Sequence, residues 1–405
     1  MSMIRPFSAL RPAPGRAADV AAPPYDVVSL EEARTLAVGR EWSFLHISRA
    51  EIDLPPGTDP YSNAVYAQAK DNLQAMERVG VLVRESSPCY YVYRLVMGSH
   101  VQTGLAVTVA VDAYETGRVR RHELTRPDKE DDRVRQIDAL NAQTGPVLLA
   151  YRHHPEVEAV LARVASGEPD MDVTAADGIR HVVWAVSSES QVAHLTALFE
   201  GMERLYIADG HHRSAAAARI AAMRSGHAGA HGYFLAVAFP DREMRILDYN
   251  RLVRDLAGLS REAFLARVAE SFRIELVGEP LRPTRSGEYG MYLLGQWYRL
   301  TIDPRLVPTD PVARLDVSLL QDRLLAPVLG VGDPRRDKRI DFVGGVRGLE
   351  GLQARVDSGE MAVAFALYPT TLADLMAVAD ADAIMPPKST WFEPKLADGL
   401  LSHVF

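Results

Sequence analysis

The sequence contains one cysteine, Cys89, among its 405 residues. A single cysteine excludes an internal disulfide framework and any zinc site built from several cysteines. No run approaches the roughly 18 apolar residues that a membrane-spanning helix requires. Residues 1–11 lack the apolar segment of a secretory signal, so we expect a cytoplasmic protein without a membrane partner. A basic excess is absent as well, and the formal net charge of -8 makes nucleic acid an unlikely main partner.

Hydrophobic residues make up 47% of the sequence and charged residues 24%, as in soluble globular proteins. Up to about residue 250, predicted strands alternate with predicted helices, which is typical of an α/β sheet. We therefore predict an α/β fold of mixed α+β character, with a mixed sheet core and flanking helices. A nucleotide-binding part is expected over residues 1–250. A second α/β part is expected over residues 251–405, packed on the first and contributing its C-terminal loop to the site.

The most informative segment is Asp209-Gly210-His211-His212-Arg213. It follows a short apolar run that predicts a buried strand and precedes an alanine-rich run that predicts a helix. Gly210 permits a tight turn, and Asp209 is a good helix N-cap. The first helical turn offers free N–H groups beside two imidazoles and one guanidinium, which predicts a phosphate-binding turn. The alternative is a capped helix start with ordinary surface charge.

A second cluster of charged residues lies just before and within another predicted helix. His122 and Glu123 precede the helix, where irregular backbone favours a functional role. Together with Arg126 and Lys129 they can neutralise a polyphosphate while offering a carboxylate as base or metal ligand. The alternative is a solvated helix with surface ion pairs, which we favour for most of the residues from Asp128 to Asp132.

Two further segments carry polar groups. Lys388, Ser389 and Thr390 follow two prolines and can donate hydrogen bonds to phosphate or carboxylate, although the glycines of a P-loop are absent. A rigid C-terminal loop is the alternative. Glu51 follows a predicted strand, Ser43 to Ser48, and a carboxylate at the carboxyl end of a strand is well placed for chemistry in α/β folds. Surface charge is the alternative for Glu51.

Four strings, in this order, resemble the signature blocks of the bacterial and archaeal domain-of-unknown-function family 1015. They are PPYD at residue 23, RHELTRPDKEDDR at 121, ADGHHR at 208 and MPPKSTWFEPKL at 385. The resemblance runs from Ile4 to Leu400. The turn from Asp209 to Arg213 also resembles the phosphate-binding turn of the ParB/sulfiredoxin superfamily, which implies a ParB/sulfiredoxin-like unit in the first part. That superfamily includes free-serine kinases, which phosphorylate L-serine from ADP or ATP.

The resemblance implies a phosphotransferase that uses ATP or ADP, with Mg²⁺, to phosphorylate a small hydroxyl acceptor such as free L-serine. Glu123, or failing that Glu51, would take the hydroxyl proton, and Asp209 would hold Mg²⁺ or orient an imidazole. His122 is a further catalytic candidate. The residues expected to hold the nucleotide or the transferred charge are Gly210, His211, His212, Arg213, Arg126, Lys129, Lys388, Ser389 and Thr390. The alternative is a nucleotide-binding switch or NTPase of the ParB-like class without a small-molecule acceptor.

Overall fold

The computed structural model describes residues 2–224 and 229–405. The chain forms two compact units, one of Met1–Met244 with Pro394–Phe405 and the other of Arg245–Glu393. After residue 393 the chain returns to the first unit, to which residues 394–405 belong. Backbone bridges explain this return, because Ala22 pairs with Asp398 and Leu10 with Ser402. Within the described ranges, no helix combines the length and apolar character needed to cross a membrane.

The first unit is built around a mixed sheet, which has nine strands among the described residues. In spatial order the strands are Val119–Arg120, Leu205–Asp209, Val147–Tyr151, Tyr233–Pro240, His100–Ala110, Tyr90–Met97, Arg180–Val186 and Met171–Thr174, with Ile4–Arg5 pairing beside His100–Ala110. Val147–Tyr151 pairs parallel with Tyr233–Pro240 and antiparallel with Leu205–Asp209. The predicted mixed α/β fold is therefore confirmed.

Along the chain, the helices of the first unit lie between its strands. They are Ala17–Val20, Leu30–Ala37, Leu45–Ser48, Asn63–Arg78, Val111–Glu115, Pro127–Leu140, Pro155–Val164, Glu189–Glu200 and His211–Met223. Two small antiparallel pairs complete the unit: Leu10–Pro12 with Leu82–Arg84, and Ala142–Gln143 with His403–Val404. Helix Asn63–Arg78 shows why these helices form, because its apolar residues Val65, Ala69, Leu73 and Met76 recur at helical spacing and are buried.

Sequence patterns predict most of these elements. A hairpin forms around Gly98-Ser99, since Met97 pairs with His100 across a two-residue turn. The predicted strand Ser43 to Ser48 is wrong, because the segment forms the short helix Leu45–Ser48. Its apolar side chains are buried, and a short buried apolar run fits a helical turn as well as a strand.

The second unit contains a six-stranded antiparallel sheet among its described strands. In spatial order these are Phe272–Val277, Gln296–Ile302, Glu288–Leu293, Val363–Leu367, Tyr249–Val253 and Ile340–Gly344, and Arg245–Leu247 pairs separately with Trp391–Glu393. The α-helices are Arg261–Val268, Asp316–Leu320, Gly348–Asp357 and Leu372–Asp380, and the π-helix Gln321–Leu325 continues the second of them. Helix Arg261–Val268 ends before Phe272, because residues 272–277 pair as an edge strand. Asp316 is the first residue of its helix, and its side chain accepts hydrogen bonds from Ser286 and Gly287.

Candidate functional site

The turn from Asp209 to Arg213 has the predicted strand-to-helix setting. Strand Leu205–Asp209 ends at the turn and helix His211–Met223 begins directly after it. Gly210 adopts φ +100°, a left-handed conformation that favours glycine. Gly210, rather than Asp209, occupies the N-cap position, and no side chain caps the helix. The carboxylate of Asp209 is therefore available for other contacts.

Asp209 contacts two cations. Its Oδ2 atom lies 3.2 Å from Nζ of Lys395 and 3.5 Å from Nη2 of Arg213. Burial opposes the ionisation of Asp209, but the charges of Lys395 and Arg213 outweigh burial and lower the pKa of the carboxyl group below its usual range. These cations already neutralise the carboxylate that the sequence predicts as a Mg²⁺ ligand, so a metal ion there would have to compete with both of them.

The two imidazoles of the turn hold the loop that precedes helix Pro127–Leu140. The backbone N–H of His122 donates to Nε2 of His211 at 3.4 Å, and the backbone N–H of Arg126 donates to Nε2 of His212 at 3.0 Å. Both imidazoles accept through Nε2, as neutral rings do. Burial lowers the pKa of both rings below the usual value. Because Nε2 contacts the loop, a contact between either ring and a phosphate would use Nδ1.

His122 lies against His211, with ring centroids 4.5 Å apart and ring planes at 89°. Burial lowers the pKa of His122 to about 4, although the Ile207 carbonyl and the charge of Asp209 act in the opposite direction. A ring with this pKa is neutral near pH 7. His122 can therefore accept a proton or a metal ion there, but it holds no proton to donate as an imidazolium.

Two polar cavities in the first unit share part of their walls. The shared residues are Tyr25, Ser48, Arg133 and Gln136. The smaller cavity, of about 30 Å³, is also lined by Arg213. The larger cavity, of about 120 Å³, is also lined by Glu51 and Lys129. Lys129 and Arg133 both line the larger cavity, because residues four apart on helix Pro127–Leu140 share one helical face.

Arg133 supplies a buried cation to both cavities. Its guanidinium lies 3.7 Å from the centroid of the Tyr25 ring and donates to the Asp132 carboxylate at 2.6 Å. Burial opposes the charge of Arg133, but Tyr25 and Asp132 stabilise it and the pKa is raised above its usual value. The Ser48 hydroxyl on the same wall is buried and has no hydrogen-bond partner of normal geometry among the described residues. A charged donor and a free hydroxyl thus face the cavities.

Glu51 and Asp132 are the carboxylates that line the larger cavity, and the Glu51 side chain is 7% exposed. Arg49 Nε donates to Oε1 of Glu51 at 2.8 Å, and Arg49 Nη1 donates to the Tyr25 carbonyl at 3.0 Å. Arg49 thereby joins Glu51 to the Pro23-Pro24-Tyr25-Asp26 turn. Glu123, by contrast, is exposed, and it lines none of the cavities described here.

A third cavity of the first unit, of about 320 Å³, has mostly apolar walls. Its apolar residues include Ala21, Ala22, Pro23, Pro24, Val27, Leu36, Leu396 and Ala397. Lys395 also lines it, and the same side chain contacts Asp209. Pro24 and Tyr25 are adjacent in the chain but face different cavities, Pro24 the apolar one and Tyr25 the two polar ones.

The other predicted residues have different surroundings. Arg126 is 69% exposed and pairs with Asp128. Lys388, Ser389 and Thr390 belong to the second unit. There the Lys388 ammonium lies 5.6 Å from the Tyr249 ring centroid, and the Ser389 hydroxyl donates to the Pro386 carbonyl at 2.6 Å. The assignment of Lys388, Ser389 and Thr390 to an anion site shared with Arg213 stays a prediction.

Sequence reasoning missed Arg133, Ser48 and Lys395 as candidate site residues. Arg133 and Lys395 both lie inside the motif strings, Arg133 at the end of RHELTRPDKEDDR and Lys395 near the end of MPPKSTWFEPKL. The spacing of Lys129 and Arg133 was a usable signal, because residues four apart on a helix face the same side. Ser48 gave no signal, since its burial depends on contacts made by distant segments.

A comparison with family models matches residues 4–318 to the family described as "Protein of unknown function (DUF1015)", and the chain belongs to that family. A comparison with curated proteins found no match.

Solved structures give more distant likenesses. A conserved hypothetical protein from Pyrococcus furiosus is 14% identical with a TM-score of 0.36, over 73% of this chain and 94% of that chain. A free serine kinase in complex with AMP is 14% identical with a TM-score of 0.34, over 73% and 92%. SbnI with a C-terminal truncation, from Staphylococcus aureus, is 11% identical with a TM-score of 0.38, over 72% and 85%.

Proposed function

We propose that the protein is a phosphotransferase that uses ATP or ADP to phosphorylate a small hydroxyl compound. One observation carries the proposal: the Pro23–Tyr25 segment is a common wall of one apolar and two polar cavities. Apolar pockets with a few convergent polar groups are typical small-molecule sites. A nucleotide presents an apolar base and an anionic phosphate chain, so it matches both kinds of wall.

The donor nucleotide would place its base in the apolar cavity and its phosphates toward Lys395 and Arg213. Lys395 lines that cavity and reaches Asp209, while Arg213 lines the smaller polar cavity. Arg213 also donates to the Pro146 carbonyl, and this contact fixes the direction of its guanidinium. Phosphoryl transfer depends mainly on positioning and charge neutralisation, which fixed cations supply. Mg²⁺ would accompany the phosphates, since it usually binds through phosphate oxygens and water with one or two carboxylates.

The acceptor would bind in the larger polar cavity, where Glu51 is the proposed base. Arg49 orients the Glu51 carboxylate through a contact of 2.8 Å, and this carboxylate can take the proton of a hydroxyl group as the oxygen attacks the terminal phosphorus. The bond between that phosphorus and the bridging oxygen of the donor breaks as the new oxygen–phosphorus bond forms. Arg133 and Lys129 would stabilise the charge of the transferred group. The choice of free L-serine as the first acceptor to test rests on the sequence resemblance of the Asp209–Arg213 turn alone.

The decisive experiment incubates the full chain with ATP or ADP, Mg²⁺ and a pool of amino and hydroxy acids, and detects phosphorylated products by mass spectrometry. We expect one acceptor to gain a phosphoryl group, with one nucleotide clearly preferred. Each reaction is repeated without acceptor to measure nucleotide hydrolysis alone. Tight nucleotide binding without any acceptor product would replace the kinase proposal by the nucleotide-binding switch. Absence of both binding and product would reject both functions.

A further inference from the structure

We propose that His122, Glu123 and His211 form a binding site for a transition-metal ion of the zinc class. One ligand atom from each of the three side chains lies within 4.8 Å of the other two. Two consecutive residues of the loop thus meet the first residue of helix His211–Met223. This site is separate from the proposed nucleotide and acceptor cavities, none of which has these residues in its wall.

The burial of the imidazoles is the independent observation that points to a ligand. His122 is 2% exposed and His211 is 5% exposed. Neither ring nitrogen of His122 makes a hydrogen bond of normal geometry within the described part of the chain. Buried polar atoms are nearly always paired, because an unpaired one costs about 1–3 kcal/mol. A metal ion bound to His122 would satisfy one of these nitrogens.

The donor set indicates which metal fits. Two imidazoles and one carboxylate form the three-ligand set of catalytic zinc sites, which leave a fourth position for water or substrate. Imidazole nitrogen favours zinc and other first-row transition metals, whereas Mg²⁺ prefers oxygen ligands alone. Glu123 is exposed and so places the open side of the site toward solvent. The ion would join the loop to the helix start. To bind it through Nε2, His211 would exchange its long hydrogen bond from the His122 N–H, at 3.4 Å, for the metal.

The test uses the metal-free full chain without nucleotide, titrated with Zn²⁺ by calorimetry. We expect one equivalent of Zn²⁺ to bind and to raise the thermal unfolding midpoint, because a ligand of the folded state stabilises it. Glu123→Gln should weaken Zn²⁺ binding at least about tenfold, since even outer-shell changes at metal sites cost 10–100-fold. Glu203→Gln is the matched control, because the Glu203 side chain is 82% exposed and the change in charge is the same.

Cobalt gives a readout that needs no variant. Co²⁺ added to the metal-free wild-type chain should give the intense visible absorption of four-coordinate cobalt, and Zn²⁺ should abolish this absorption by displacement. His122→Asn should remove the absorption, and circular dichroism checks that this variant folds. The proposal is overturned if wild type shows only the weak absorption of hydrated Co²⁺. It is equally overturned if Glu123→Gln and Glu203→Gln bind Zn²⁺ as tightly as wild type.

Discussion

Two glutamates of the first unit, Glu51 and Glu123, occupy very different surroundings. The Glu51 side chain is 7% exposed, is held by Arg49 and lines a polar cavity with Lys129 and Arg133. Glu123 is exposed beside two buried, neutral imidazoles. A carboxylate among cations suits an anionic substrate, whereas a carboxylate beside neutral imidazoles suits a cation. We therefore propose Glu51 as the base and Glu123 as the metal ligand.

The largest expected effect comes from removing the proposed base. Glu51→Gln keeps the shape of the side chain but cannot accept a proton at neutral pH, so turnover should fall by about 10²–10⁴-fold. Nucleotide binding, measured by calorimetry, should stay near that of wild type, because the proposed base does not contact the phosphates. Glu203→Gln is the control that should keep full turnover. If Glu123→Gln loses more turnover than Glu51→Gln, the assignment of the two carboxylates is reversed.

Sequence patterns could not rank these two carboxylates, because burial is a tertiary property. Glu51 was a candidate only through a predicted strand, and that strand is a helical turn. Its cavity depends on Tyr25, Tyr66 and Arg133, which come from distant parts of the chain. Each glutamate follows an arginine by two positions, Arg49 or Arg121, so local charge does not distinguish them either.

The second largest effect is expected on nucleotide affinity, when a cation is removed from the proposed phosphate site. Arg213→Ala removes a buried guanidinium from the smaller polar cavity. A charge-assisted hydrogen bond contributes about 1.5–3 kcal/mol, so nucleotide affinity should fall roughly ten- to a hundredfold. Arg305→Ala, at an 88% exposed position of the second unit, is the control and should bind as wild type. Should Arg126→Ala weaken binding as much as Arg213→Ala, the exposed loop also contacts the phosphates.

A smaller effect should appear in the pH dependence of unfolding. The folded-state pKa of His122 is lowered to about 4 by burial, below the value of roughly 6.5 in the unfolded chain. The unfolded chain therefore binds more protons between these values, and the free energy of unfolding falls as pH drops from about 6.5 to about 4. His122→Asn should reduce this loss by on the order of 1–2 kcal/mol. Denaturant unfolding of the metal-free wild-type and variant chains at several pH values measures this fall in the free energy of unfolding.

The exposed His194 supplies the control for that measurement. His194→Asn should leave the pH dependence of unfolding as in wild type, because this substitution replaces an exposed side chain and removes no buried ring. Equal slopes for wild type and His122→Asn would mean that His122 is not a neutral, buried ring. The description of Glu123 as a carboxylate beside neutral imidazoles would then be wrong.

The turn itself could be predicted because its signals are local. An apolar run, one glycine and an alanine-rich run fix a strand, a tight turn and a helix without help from distant residues. The partners of the turn could not be predicted, since Lys395 reaches Asp209 from the C-terminal end of the chain. The N-cap also differed from expectation, because the two cations hold the Asp209 carboxylate that would otherwise cap the helix.

The smallest predicted effect tests whether that turn positions Arg213. A Cβ atom on Gly210 would lie 3.0 Å from Nε of Arg213, in a residue with φ +100°. Gly15 also has a positive φ, +80°, but a Cβ atom built on it would have no atom within 4 Å. Gly15→Ala therefore measures only the free energy lost when alanine adopts a left-handed conformation, about 1–2 kcal/mol. Gly210→Ala should cost about 1 kcal/mol more in denaturant unfolding, because the new methyl group meets the guanidinium. It should also weaken nucleotide binding, which Gly15→Ala should not. Equal costs for the two variants, with unchanged nucleotide affinity, would show that Arg213 is placed by its contacts with Pro146 and Asp209 and not by the turn.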